Sequence, residues 1–147
     1  MRISRRAEYA LRALIAISRQ PMRAHQLGEL SRSENIPVKF LEQILLALRN
    51  AGFLSSKRGI GGGYTLRKNP AEISVGDVLR AFDGPIAPVN CAAKTPVEKC
   101  SCPDPRACPL RVLMTEVRDE LSAIFDHRTI DDLLRLSPDA SALAFEI

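Results

Sequence analysis

Residues 41–66 read LEQILLALRNAGFLSSKRGIGGGYTL, and the period of the apolar positions changes half-way along. Leu41, Ile44, Leu45 and Leu48, with Phe40 just before them, step by three and four, which is one face of a helix. Gly52 is a natural helix stop. Beyond it, residues 53–57 and 64–67 are two short strand-like runs. The RGIGGG between them supplies glycines for a loop with unusual backbone angles. Such glycines can also cradle phosphate, but no Gly-Lys-Ser/Thr follows and no helix starts directly after them.

Towards the N-terminus, Pro37 suits a first helical position, where its missing N–H costs nothing. Residues 24–32 make a short helix with Leu27 and Leu30 inward. Ser4 can cap a first helix that runs to about residue 19, with Ala7, Ala10, Leu11, Leu14 and Ile17 as its stripe and Gln20-Pro21 as its end. Helices joined by a brief turn and followed by a hairpin are the layout of a winged helix-turn-helix. In that layout the start of the last helix meets base edges, here Val38, Lys39, Glu42 and Gln43. Lys39 can donate to guanine, Gln43 can pair with adenine and Glu42 can accept from cytosine. Glu42 and Gln43 would look no different on a solvated helix face. Arg2, Arg5, Arg6 and Lys57 suit phosphate or solvent.

Towards the C-terminus, Ser74-Val-Gly-Asp77 reads as a capping box with Asp in place of Glu, opening a helix to about residue 82. Asp83-Gly84-Pro85 is a turn. Pro109 opens a long helix to about residue 126. Its Leu110, Leu113, Val117, Leu121 and Ile124 form a seam for a partner helix, from the same chain or from a second copy. Thr129-Ile-Asp-Asp132 can cap a last short helix. The expectation is a mainly α fold with a small β-hairpin wing. It divides into a winged helix-turn-helix at 1–83, a metal-binding loop at 84–108, a dimerisation helix and short final helix at 109–136, and a flexible tail at 137–147.

Charge agrees with this division. The net charge of +4 conceals 13 Lys/Arg against 4 Asp/Glu in residues 1–70, and 8 against 13 in the remainder. A basic half joined to an acidic half suits a polyanion partner, double-stranded DNA, for the first half alone. The first twenty residues begin basic and turn apolar, but Glu8, Tyr9 and Arg12 interrupt the run and no small-residue cleavage site follows. No stretch approaches the ~18–20 apolar residues of a membrane span, so a cytoplasmic protein with no membrane partner is expected.

The chain's 4 cysteines all fall in CAAKTPVEKCSCPDPRAC, residues 91–108. Thiols stay reduced in the cytoplasm, which favours a metal over disulfides. Structural zinc takes four thiolates but usually as two closely spaced pairs. An iron–sulfur cluster, two-iron or four-iron, takes thiolates on a loop that can wrap it. A thiol redox switch is the third reading. Cys108 precedes Pro109 and so sits at a helix N-terminus, whose positive end favours thiolate. In an extended stretch Cys100 and Cys102 point to one side. An enzyme finds no support, because neither His25 nor His127 has a recognisable catalytic context and no nucleophile motif is present.

Leu41-Glu42-Gln43 followed by Arg58-Gly-Ile-Gly-Gly-Gly-Tyr64 resembles the recognition helix and wing of the Rrf-type (IscR/NsrR-like) regulators. The opening RISRRAEYALRAL, the ISVGDVLRAFDG stretch and the position of the cysteines fit the same family, over about residues 1–136. The resemblance implies a dimeric bacterial transcription regulator of the repressor type. It implies that Arg58 enters the minor groove, where a narrow A·T-rich groove attracts a cation. Many members bind an iron–sulfur cluster through three cysteines after the winged helix, whereas others lack the cysteines. Typical members have about five residues in each gap. Cys102 and Cys108 keep the second gap, but the first is ten residues to Cys102 or eight to Cys100. Some relatives recruit an acidic residue from the first helix, where Glu8 stands, so Cys91, Cys100, Cys102 and Cys108 are the expected ligands with Glu8 as an alternative. Glu8 also reads as an ordinary surface carboxylate.

Overall fold

The computed structural model describes residues 1–96 and 98–136, so the expected tail at 137–147 lies outside the described residues. The chain runs α1 (Arg5–Ser18), α2 (Leu27–Glu34), α3 (Val38–Asn50), β1 (Leu54–Lys57), β2 (Gly63–Leu66), α4 (Val75–Asp83), α5 (Pro109–His127) and α6 (Ile130–Leu136). Short 3-10 turns precede α4 at Pro70–Glu72 and interrupt the long loop at Asn90–Ala92.

The small residues of α1 make it the centre of the fold. Ala7, Ala10, Ala13, Leu14 and Ile17 are fully buried, and α3, α4 and α6 all pack on this helix. The start of α1 is fixed twice. The Ser4 hydroxyl accepts from the Ala7 N–H at 3.1 Å, and the Ser4 N–H donates to Asp83 at the end of α4 at 2.9 Å. On α3, Leu41, Ile44, Leu45 and Leu48 are fully buried. Each contributes about 1.5–3 kcal/mol relative to exposure.

α2 starts at Leu27 rather than near residue 24, because His25 is used elsewhere. Its N–H donates to the Tyr64 carbonyl at 2.9 Å and its carbonyl accepts from the Tyr64 N–H at 2.8 Å. This short bridge anchors the wing to the α1–α2 connection. It also explains Gly63, whose φ is 142° and whose Cβ, if present, would lie 2.5 Å from the His25 carbonyl oxygen. α2 ends on Asn35 in the left-handed region, φ 52° and ψ 49°. Asn tolerates that conformation better than most residues, and it turns the chain so that Ile36 is buried.

The strands pair antiparallel in the register Leu54↔Leu66 to Lys57↔Gly63. After them the chain builds a second, smaller layer. Leu121 and Phe125 of α5 pack against Val75, Leu79 and Ile86. The Arg80 guanidinium donates to both oxygens of Asp126 at 2.7 and 2.9 Å, joining α4 to α5. The chain then returns to the N-terminal half. The Val75 N–H donates to the Arg128 carbonyl at 2.8 Å and the Ile130 N–H to Ile73 at 2.9 Å. Ile130 is completely buried in the main core. α6 carries the reciprocal cap expected of Thr129 and Asp132: the Asp132 N–H donates to the Thr129 hydroxyl at 3.1 Å and the Thr129 N–H to the Asp132 carboxylate at 2.9 Å.

The Arg80 guanidinium holds the Asp126 carboxyl below its ordinary range. A lowered carboxylate stabilises the fold above its unfolded value, near pH 4, and that contribution is lost as pH falls through the folded value. Both side chains are more than a third exposed, so the solvent-screened contribution is at most about 1 kcal/mol. Asp126→Asn is expected to lower the urea midpoint slightly at pH 7, with the difference from wild type closing as the pH drops below 4. A difference that persists undiminished in acid would assign the loss to packing instead.

Candidate nucleic-acid interface and cysteine loop

Val38, Lys39, Glu42 and Gln43 are all exposed on the first turns of α3. Their face is the one left over when Leu41, Ile44, Leu45 and Leu48 turn into the core. It continues into Leu46, which is also exposed. The helix is fixed at both ends. At its start, the Ser31 hydroxyl donates to the Ile36 carbonyl at 2.6 Å. At its end, Arg49 donates to Ser56 of β1 at 3.2 Å. α3 and the wing are therefore held together by a direct contact. Arg12 sets the helix spacing behind them, reaching the Glu34 carbonyl and its carboxylate at 3.8 Å.

Lys57 closes β1 opposite Gly63, and Arg58 follows it, exposed, at the base of the wing tip. The tip is a four-residue turn closed by the Gly62 N–H donating to the Gly59 carbonyl at 3.0 Å. Of the other N-terminal cations, Arg5 lies over the Tyr9 ring and pairs with Glu8 at 3.6 Å, and Arg6 lies over Phe82. Glu8 is also paired with Arg12 at 3.7 Å.

The cysteine loop connects α4 to α5. Cys91 sits in the Asn90–Ala92 turn and Cys108 is the N-cap residue of α5, with Pro109 at the first helical position and no side-chain cap. The Cys102 N–H donates to the Cys100 sulfur at 3.4 Å. That backbone bond, with side-chain bonds from Cys102 and Cys91, pulls the Cys100 thiol below its ordinary value. The Cys102 thiol is pushed up to about 11 by its hydrogen bonds to Cys100 and Cys108. Cys91, Cys100, Cys102 and Cys108 thus all lie between the end of α4 and the start of α5, with Cys100 and Cys102 in direct contact. Among the described residues, no three His, Cys, Asp or Glu side chains are placed to hold a single metal ion. The four thiols are nonetheless the soft donor set that iron–sulfur clusters and zinc take.

Two arginines that sequence reasoning passed over shape this loop. The largely buried Arg118 donates to the Ala92 carbonyl at 2.6 Å. Arg111 donates to the Pro105 carbonyl at 3.2 Å and helps to lower the Cys100 thiol. Both sit on α5 at positions that a reading of its apolar stripe alone ignores. The stripe itself divides. Leu121 faces α4 of its own chain, whereas Leu110, Leu113 and Ile124 are each more than half exposed, and no residue of α5 is buried.

This combination of winged helix, four-cysteine loop and long C-terminal helix matches a known sequence family. The model of the Rrf2 family, described as iron-dependent transcriptional regulators, matches residues 3–136. The chain belongs to the Rrf2 family. It is 36% identical over 146 residues to an rrf2-like HTH-type transcriptional regulator of Rhodobacter capsulatus, covering 96% of this chain and 97% of the relative. It is 30% identical to the HTH-type transcriptional regulator IscR of Pectobacterium atrosepticum, covering 91% and 79% of the two chains. Among solved structures, CymR, the global cysteine regulator of Bacillus subtilis, superposes with a TM-score of 0.78 at 30% identity, covering 94% of this chain and 99% of CymR. The protein is accordingly an Rrf2-family helix-turn-helix transcription regulator, in a family of DNA-binding proteins rather than enzymes. Among the described residues no helix is long and apolar enough to cross a membrane.

Proposed function

We propose that this Rrf2-family regulator is a cytoplasmic homodimer that binds a near-palindromic operator, and that an iron–sulfur cluster at Cys91, Cys100, Cys102 and Cys108 controls its hold on DNA. The observation that carries the reading is the gathering of all four cysteines in the one loop that ends at the N-cap of α5, with the Cys102 N–H on the Cys100 sulfur. A helix N-terminus favours thiolates and an anionic group. The family's iron-dependent description supports iron over zinc. Such a cluster would supply reversible gain and loss of an electron. The chain's own part is to pass on the state of the loop. α5 carries Cys108 at one end and the Asp126 pair with Arg80 near the other, and α4 ends on Asp83, which holds Ser4 at the start of α1.

Zinc is the second reading, because four thiolates also suit it. Anaerobic reconstitution with iron and sulfide, followed by metal analysis and a visible spectrum, separates the two. Brown protein with iron and sulfide, and operator binding that differs between loaded and unloaded forms, is expected. Colourless protein that holds only zinc would overturn the iron–sulfur reading.

For DNA, we assign base contacts to Val38, Lys39, Glu42 and Gln43, and minor-groove and phosphate contacts to Arg58 and Lys57. Gln43→Ala is expected to relax specificity at one base pair, at about 1–3 kcal/mol. Arg58→Ala is expected to weaken binding most at A·T-rich minor-groove positions. Binding-site selection with each variant checks this. If both variants select the wild-type site unchanged, the assignment is wrong.

A further inference from the structure

The wing carries a residue that the charge argument does not explain. Ile60 is 107% exposed, more than any other large apolar residue described. It occupies the second position of the turn closed by Gly59 and Gly62, and Gly61 in the third position has φ 74°. A positive φ there is the signature of a type II turn. The second position of such a turn points its side chain away from the strands it joins. The turn also depends on its glycines. A Cβ on Gly62 would collide with the Lys57 carbonyl, and Gly59 and Gly61 both hold positive φ. The backbone is thus folded tightly so that one β-branched aliphatic side chain stands alone at the apex, immediately beyond Lys57 and Arg58.

We infer that Ile60 is an apolar wedge. Once Arg58 has entered the minor groove, Ile60 presses against a base step there, partly unstacks it and bends the duplex. Proteins that work in the minor groove use Ile, Leu, Met, Phe or Pro in this way, and the duplex bends towards the major groove, away from the wedge. The cost of unstacking falls at flexible pyrimidine–purine steps, so the wedge reads sequence through deformability without a hydrogen bond. The flanking cations choose the occupant. An apolar tip behind two positive charges, on the strongly basic half of the chain, suits DNA rather than an apolar protein surface. The inference rests on the DNA-binding reading of the wing and adds a residue to it.

The experiment uses the full-length protein and an operator selected by the wild type from a random library. Bending is measured by energy transfer between dyes at the duplex ends. Unstacking is measured by 2-aminopurine placed at each step under the wing. Ile60→Ala, Ile60→Ser and Ile60→Leu are compared with Arg58→Ala. Ile60 makes no contact with the core, so the variants keep the wild-type circular dichroism. Ile60→Ala and Ile60→Ser are expected to bind about five- to tenfold more weakly with an unchanged salt slope. They should lose most of the bend and the 2-aminopurine signal, while Ile60→Leu retains both. Arg58→Ala should instead lower the salt slope. An unchanged bend and unchanged 2-aminopurine signal in Ile60→Ala would overturn the wedge while leaving DNA binding intact. A change of sedimenting mass without a change of bend would assign the tip to a protein contact and overturn it as well. Wild-type protein that selects no DNA at all would remove the DNA-binding reading together with the wedge.

Discussion

Cys102→Ala and Cys108→Ala are expected to strip the protein of its iron after anaerobic reconstitution, taking the visible spectrum with it. Cys102 keeps the five-residue gap to Cys108 and its N–H holds the Cys100 sulfur, so its loss removes a donor from the middle of the set. Cys100→Ala is expected to behave the same way and Glu8→Ala to keep the spectrum. The reason is local. Cys100 already accepts from the Cys102 N–H, whereas Glu8 is engaged by Arg5 and Arg12 and would have to give up both partners to reach a metal. A carboxylate is also a harder ligand than thiolate, less suited to soft iron–sulfur centres. Metal content, spectrum and operator affinity are measured on each variant. If Glu8→Ala alters the spectrum while Cys100→Ala preserves it, the four-cysteine site is wrong. If no cysteine variant changes the metal content, iron–sulfur binding itself is excluded.

Charging the outer face of α5 is expected to produce a monomer. Leu113→Asp combined with Ile124→Asp places two carboxylates on the exposed stripe. Neither residue belongs to the core clusters of its own chain, so circular dichroism and the urea transition should change little. Sedimentation should fall from about twice 16.2 kDa to a single copy. Affinity for a two-half-site operator should drop by roughly 10²-fold or more, because the second winged helix no longer arrives at high effective concentration. A double variant that remains dimeric and binds as before would place the interface elsewhere.

Most of the architecture could be read in the sequence because its signals were local. Helical spacing placed α1, α3 and α5 to within a residue or two of their observed ends, and Ser4 and Thr129 cap as their residue types suggest. The misses came from contacts between distant segments. Nothing around residue 25 announces that His25 will pair with Tyr64 and delay α2, since a bridge between residues 39 positions apart leaves no local pattern. The apolar spacing on α5 was visible, but which of its residues face α4 was not: Leu121 and Ile124 look alike in sequence, and only packing separates them. At the candidate site the residue types were legible and their companions were not. Arg111 and Arg118 steady the cysteine loop through backbone carbonyls, which have no sequence signature.

The hydrogen bonds between residues 73–75 and 128–130 have a further consequence. They fasten the entrance of α4 directly to the exit of α5, and the Arg80–Asp126 pair clamps the same two helices a turn further on. The segment between them is therefore held at two fixed ends, with its own Ile86 packed between α4 and α5. Closing a longer or shorter loop across fixed ends changes the entropy only slowly with length, by about 0.6 kcal/mol per doubling. The unusual first cysteine gap of this chain costs the scaffold little for that reason. A lineage built on this frame can vary the cysteine spacing between residues 91 and 108 while the winged helix stays as it is.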